Sequence, residues 1–304
     1  MTGITTSEKL SASSRTFHGL AVTSKAPQKR MQTIALACEA VRADVERGGN
    51  SDDIDYFNYH EARLRATSAR VLELVPTSVD VLDIGGHYLH LSSVLALLGY
   101  RMSAIDVPAF ARLPLVVERA ARTGIALTAV EADDIAAGQL LPDQLDRFGA
   151  VLFCEILEHI TFNPISFWRQ VHALLRPNGI ILVTTPNSLK LLSVLGALWN
   201  LVSLKRIGLS VKQIMHHGTF GHHWKEYSAR EIVEYFGRLS PDFSVQVRKI
   251  HYGAPSSDVR EALGGVRTAI LQFGNATGFF ADNLEAVVTL PRKTPWSVLS
   301  PARD

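Results

Sequence analysis

Apolar residues recur at three- and four-residue steps from Gln28 to Glu46 (Met31, Ile34, Ala35, Cys38, Val41, Val45), which predicts an amphipathic helix. Gly48-Gly49-Asn50 stops it. Ser51-Asp52-Asp53 offers the next N-cap, and Ile54, Phe57, Leu64, Val71, Leu72 and Val75 keep a helical face until Pro76. The period then changes. Val81, Leu82 and Ile84 form an apolar run that breaks at Gly85-Gly86, a helix-length segment runs to Gly99, and Met102, Ala104 and Ile105 lead into Asp106. That is one β-α-β unit. Ala126 to Val130 is a short strand followed by Glu131, Asp133 and Asp134, and Phe148 to Cys154 is a continuous apolar run, as for a strand covered on both faces. Ile165 to Leu175 has helical spacing, Arg176-Pro177-Asn178-Gly179 is a turn signature, and Ile180 to Thr185 is a strand. Leu189 to Leu204 is an apolar helix-like stretch, Ser228 with Glu231 forms a capping box, and Phe243 to Ile250 and Leu284 to Leu290 are closing strands.

Strands that alternate with helices imply an α/β fold: a doubly wound, mostly parallel seven-stranded sheet, Rossmann-like, with N-terminal helices and a helical lid. The expected divisions are a disordered lead-in over 1–26, a helical cap over 27–76, a main domain over 77–290 and a tail over 291–304. The lid would span 188–227 and a surface insertion 251–283. A buried lid is the preferred reading of Leu189 to Leu204, with a membrane surface or an acyl chain as the alternative.

Composition narrows the partners. With 304 residues and 47% hydrophobic content the chain can bury a full core, and its formal charge of +2 advertises neither nucleic acid nor membrane. Cys38 and Cys154 are the two cysteines, and Cys154 ends an apolar strand, so no disulfide framework and a reducing, cytoplasmic setting are expected. The first residues have no continuous apolar core of the secretory kind, and no stretch reaches the roughly 20 apolar residues needed to span a bilayer.

The β-α-β unit is nucleotide-shaped, because a glycine turn lets backbone amides approach a ligand and an acid some twenty residues on accepts from ribose hydroxyls. A nicotinamide site fits worse, since G-x-G-x-x-G is absent. The face around Tyr56, Tyr59, His60 and Arg63 is read as solvated, with a cover over a ligand pocket as the alternative. Glu155, Glu158 and His159 stand at i, i+3 and i+4 and would share one face if a helix began at the strand end.

The order of VLDIGG, AID, FCEILEHI, LLRPNGIILVTTPN and GHHWKEYSAREI resembles the class I S-adenosylmethionine-dependent methyltransferases, in their ubiquinone-biosynthesis O-methyltransferase-like branch, over roughly Tyr56 to Leu290. The resemblance implies S-adenosyl-L-methionine as cofactor. Asp83, Gly85 and Gly86 would shape the turn under its methionine part, Asp106 would hold the ribose diol, and Asp133 or Asp134 with Ile135 would meet the adenine. Cys154 and Glu155 would lie beside the sulfonium. The family's loop usually carries two further glycines, at positions held here by His87 and Leu89, so the turn is expected to be narrowed or to take a variant path.

His223 matches the family's downstream histidine, with His216, His217 and His222 nearby. Glu155, Glu158, His159 and His223 are therefore the catalytic candidates. They are also a possible set for a divalent cation (Mg or Mn), as in small-RNA 2′-O-methyltransferases that share the Glu-x-x-Glu-His pattern. Without metal, His159 or His223 would act as general base. The expected reaction is O-methylation of a hydroxyl on a glycan, glycolipid or secondary metabolite, with peripheral membrane contact possible. An RNA 2′-O-methyltransferase and a non-catalytic cofactor-binding regulator or partner subunit are the alternatives.

Overall fold

The computed structural model describes residues 25–203, 215, 223–252 and 281–296. The expected lead-in, most of the lid beyond residue 203, the body of the 251–283 insertion and the end of the tail lie outside them, as do His216, His217 and His222. Helices α1 (Lys25–Gly48) and α2 (Ser51–Leu74) come first. Then follow β1 (Asp80–Ile84), α3 (His90–Leu97), β2 (Arg101–Asp106), α4 (Pro108–Ala111), α5 (Pro114–Thr123), β3 (Ala126–Ala129), α6 (Ala132–Ala137) and β4 (Phe148–Cys154). A single 3-10 turn (Leu157–His159) leads to α7 (Ile165–Leu174), β5 (Leu175–Pro186), α8 (Leu191–Val202), α9 (Ala229–Leu239), β6 (Ser244–Ile250) and β7 (Asn283–Thr289).

The seven strands form one sheet in the order β3-β2-β1-β4-β5-β7-β6, parallel except for β7, which runs antiparallel to both β5 and β6. The central strands carry the uninterrupted apolar runs because helices cover both faces; β4 is buried from Phe148 to Phe153. Edge strands alternate instead, as in Ser244–Ile250, where one face stays wet. On one side Trp168, Phe167, Phe153 and Phe236 make an edge-to-face aromatic core under α7 and α9. On the other, Leu95, Val116 and Tyr100 pack on Val81 and Ala104.

The α1–α2 pair docks on α3 through Ile34, Cys38, Phe57, Leu64 and Val94. The seam is also ionic. Buried Arg119 on α5 donates to both oxygens of Asp53 (3.1 and 2.7 Å), to Asp44 (3.0 Å) and to the Tyr88 carbonyl (2.7 Å), while His90 lies 2.8 Å from Asp53. Burial opposes the charge on Asp53, but its partners His90 and Arg119 hold the carboxyl below its usual range. The N-terminal helices are thereby fixed against the face that carries the β1–α3 loop.

Two expectations change. Strand β5 starts earlier than Ile180, at Leu175, because Leu175 pairs with Phe148 and the Arg176–Gly179 turn is bridged into the strand, with Asn178 at φ +62°. Helix α8 is not the buried lid foreseen: Leu195, Leu198, Trp199, Leu201 and Val202 are all exposed. No described helix is long and apolar enough to cross a membrane.

Candidate active site

The site forms outside the carboxyl ends of β1, β2, β4 and β5, where such sheets open a crevice. At the end of β1 the chain turns on Gly85 (φ +77°), whose amide donates to Ile105 O at 2.9 Å. A Cβ at Gly85 would sit 2.4 Å from Ile156 Cδ1, so a larger residue would have to displace that side chain as well as strain the left-handed turn. The two positions where sequence comparison expects glycine keep the left-handed backbone without it: His87 has φ +49° and Leu89 φ +60°. The loop thus takes a left-handed path of the kind glycine favours, held by bulkier residues at a cost of about 1 kcal/mol each. Asp83 is buried and accepts from Ser92 Oγ at 2.6 Å; desolvation, helped by the charge of Asp106, pushes its carboxyl up to about 6. Asp106 ends β2 with Oδ2 accepting from the His87 amide and Oδ1 from that of Val107, both at 2.7 Å, while burial pushes its carboxyl up.

Helix α2 roofs this loop. The Tyr56 ring stacks on His87 (centroids 4.4 Å apart, 20° between planes), and Phe110 packs on the same imidazole at 4.2 Å. Burial, then the nearby Arg63 charge, drives the His60 imidazole down to about 3, so it is neutral. The solvated-face reading therefore holds for Tyr59, which is exposed, and not for Tyr56, His60 and Arg63.

At the end of β4, Cys154 has its thiol pushed up by burial, and Glu155 adopts φ +57° with its amide donating to Thr184 O at 2.7 Å. That left-handed residue breaks the expected helical face. Glu155 consequently pairs with Arg63 (Oε2 to Nη1, 3.5 Å) and supplies no ligand atom to the Glu158–His159–His223 group, although its charge still reaches Glu158. Glu158, His159 and His223 do come together: one ligand atom from each lies within 4.8 Å of the others. Glu158 is buried, accepts from Thr185 Oγ1 at 2.8 Å, and is pushed up to about 7 by desolvation and then by Glu155. The imidazoles of His159 and His223 lie edge to face, 5.0 Å apart. His223 is tied at Nδ1 to Glu226 (3.3 Å), which raises its pKa, and Glu226 is itself held by Lys190 Nζ at 3.0 Å.

Asp133 and Asp134 stand exposed in the first turn of α6, with Ile135 half-buried beside them. They follow β3, whose end is tied to β2 by the Val130 amide donating to Asp106 O. Sequence reasoning missed Thr185, Glu226 and Lys190, since a threonine inside an apolar strand and two charges beside a histidine carry no period of their own. Arg63 was visible only as part of a polar helix face.

The seven-stranded, mostly parallel sheet with flanking helices is the Rossmann-like fold that the sequence resemblance implied. A sequence profile for the methyltransferase domain matches residues 56–239. The chain belongs to the class I S-adenosylmethionine-dependent methyltransferases. No curated protein sequence matches this methyltransferase. Among solved structures, a chain of the complex between the Haloferax volcanii Trm112 methyltransferase activator and a methyltransferase is 17% identical, covers 77% of this enzyme and 93% of its own length, and has a TM-score of 0.51. The Burkholderia thailandensis 1,6-didemethyltoxoflavin-N1-methyltransferase is 15% identical over 88% of this chain and 91% of its own, with TM-score 0.48. A Thermotoga maritima S-adenosylmethionine-dependent methyltransferase is 14% identical over 83% and 100%, also at 0.48. At such identities the first likeness speaks for the fold. The methyltransferase's own residues fit its cofactor on separate grounds: His87 Nδ1 and Glu155 Oε1 are buried polar atoms with no hydrogen-bond partner among the described residues, and both border the crevice.

Proposed function

We propose that this methyltransferase transfers the methyl group to a hydroxyl of a glycan, glycolipid or other secondary metabolite. The observation that carries the reading is the proton-accepting cluster at the crevice: Glu158 with a carboxyl near 7, against two imidazoles. A hydroxyl acceptor must lose a proton as it is methylated, and a base whose pKa lies near working pH does this best. His223, steadied by Glu226, or Glu158 would take that proton, with His159 beside them. Asp106 would accept from the ribose diol, Asp83, Gly85 and Gly86 would shape the turn under the methionine part, Asp133, Asp134 and Ile135 would meet the adenine, and Cys154 and Glu155 would flank the transferred group. Bound S-adenosylmethionine supplies a methyl already activated on a sulfonium. The chain's share is alignment, exclusion of water and proton removal.

Glu158, His159 and His223 also suit a divalent cation, one carboxylate and two imidazoles being a donor set for manganese more than for magnesium. That geometry favours a second reading, a metal-dependent RNA 2′-O-methyltransferase. A net charge of +2 supplies little of the phosphate neutralisation RNA requires. Tritium transfer from labelled cofactor into a fractionated metabolite extract tests the first reading, and transfer into total RNA tests the second, each with and without chelator. Label confined to RNA and abolished by chelator refutes the first.

A further inference from the structure

Helix α8 takes no part in the site chemistry, yet its side chains are unsuited to water. Its sequence, LLSVLGALWNLV, has polar side chains only at Ser193 and Asn200. Leu198 is 53% exposed, Trp199 66% and Val202 78%, with Leu195 and Leu201 also exposed. A contiguous apolar face of this kind on a protein surface marks a site of association. Twelve helical residues reach about 18 Å, well short of the ~30 Å hydrocarbon core, so the helix is sized to lie along a bilayer interface.

Charge selects the partner. From Glu158 to Glu226 the sequence contains no intervening acidic residue, although the chain has 29. The same stretch holds Lys190 at the start of α8 and Lys205, Arg206, Lys212 and Lys225 after it. Lys190 and Lys225 are paired with Glu226 and Glu231, and along the sequence the apolar helix is followed within ten residues by Lys205, Arg206 and Lys212 with no acidic residue before Glu226, which is the composition of an interfacial anchor. The position in the fold is also telling. Lys190, immediately before α8, bonds Glu226, and Glu226 bonds His223, so the helix begins two polar contacts from the proton-accepting cluster.

We propose that α8 docks the enzyme on an anionic phospholipid surface, which presents the crevice to an acceptor dissolved in or linked to the membrane. The second clause rests on the O-methyltransferase reading; the docking does not. The test uses the full chain with vesicles of phosphatidylcholine, with or without phosphatidylglycerol. Sedimentation with the phosphatidylglycerol vesicles is expected, weakened by salt, together with a blue shift in tryptophan emission that Trp199→Phe removes. Leu198→Glu combined with Trp199→Glu should lower partitioning roughly tenfold or more while the heat of S-adenosylmethionine binding is kept. Absence of binding to the anionic vesicles, equal binding to phosphatidylcholine alone, or unchanged binding by the double variant overturns the docking. A chain that dimerises through this face, monomeric only as the double variant and indifferent to lipid, also overturns it. Loss of cofactor binding in the wild type would instead refute the enzymatic reading, and vesicle binding reports separately.

Discussion

Glu158→Gln tests the site most directly. The variant keeps an acceptor for the Thr185 hydroxyl and removes a buried charge. In the wild type, burial and Glu155 lift the Glu158 carboxyl to about 7, whereas the unfolded chain ionises it at its ordinary 4.5. Because the folded value is the higher, the stability linked to the neutral carboxyl is fully present below about 4.5 and is lost as pH rises through about 7. The difference corresponds to about 3 kcal/mol, at 1.36 kcal/mol per unit. Some of it is offset by His223, whose pKa is raised by Glu226 and also by Glu158. Urea unfolding of both proteins at pH 5 and pH 8 measures it: near-equal stability in acid, and the glutamine variant more stable by about 2 to 3 kcal/mol at pH 8. Activity should move the other way, with kcat falling about 100-fold or more if Glu158 shares in proton removal. Wild type and variant losing stability in parallel between pH 5 and 8 would refute the raised pKa, and with it the role as base.

Asp106→Asn should weaken S-adenosylmethionine binding by about 10- to 100-fold in calorimetry, since the charged acceptor proposed for the ribose is lost. His87→Gly relieves a left-handed histidine but loses the stack on Tyr56 and Phe110, so thermal unfolding should show a net cost of about 1 kcal/mol or less; Leu89→Gly empties a fully buried site and should cost about 2 to 4. Arg119→Met leaves Asp53 buried beside His90 without its cation and should destabilise by about 3 to 5 kcal/mol in chemical denaturation, with the N-terminal helices the first to lose amide-exchange protection.

The sheet was legible because its strands are long apolar runs set off by glycine and proline, and period alone separates Val81–Ile84 or Phe148–Cys154 from the helices around them. The turn after β1 was legible for a similar reason: Gly85 and Asp106 stand at fixed points of a β-α-β unit. The candidate catalytic cluster was only half legible. Spacing put Glu155 with Glu158 and His159, but spacing assumes a backbone conformation, and the positive φ of Glu155 sends its carboxylate to Arg63. Helix α2 shows the same limit from the other side. Its polar positions look solvated until the loop at His87 folds against them, a contact between elements that no local pattern encodes.

The placement of β7 has a consequence for how the chain is made. Strand β6 pairs only with β7 among the described strands, and β7 fills the space between β6 and β5 through the register Ile180–Thr289 to Pro186–Asn283. During synthesis the parallel half can assemble as it leaves the ribosome, but the open edge of β5 stays unsatisfied until the last strand emerges. That edge is the apolar segment Ile181–Val183, a template for pairing with another nascent chain. Truncations that stop short of residue 289 should therefore aggregate rather than yield a smaller domain, and expression should depend on an intact far end even though every proposed catalytic group lies upstream of it.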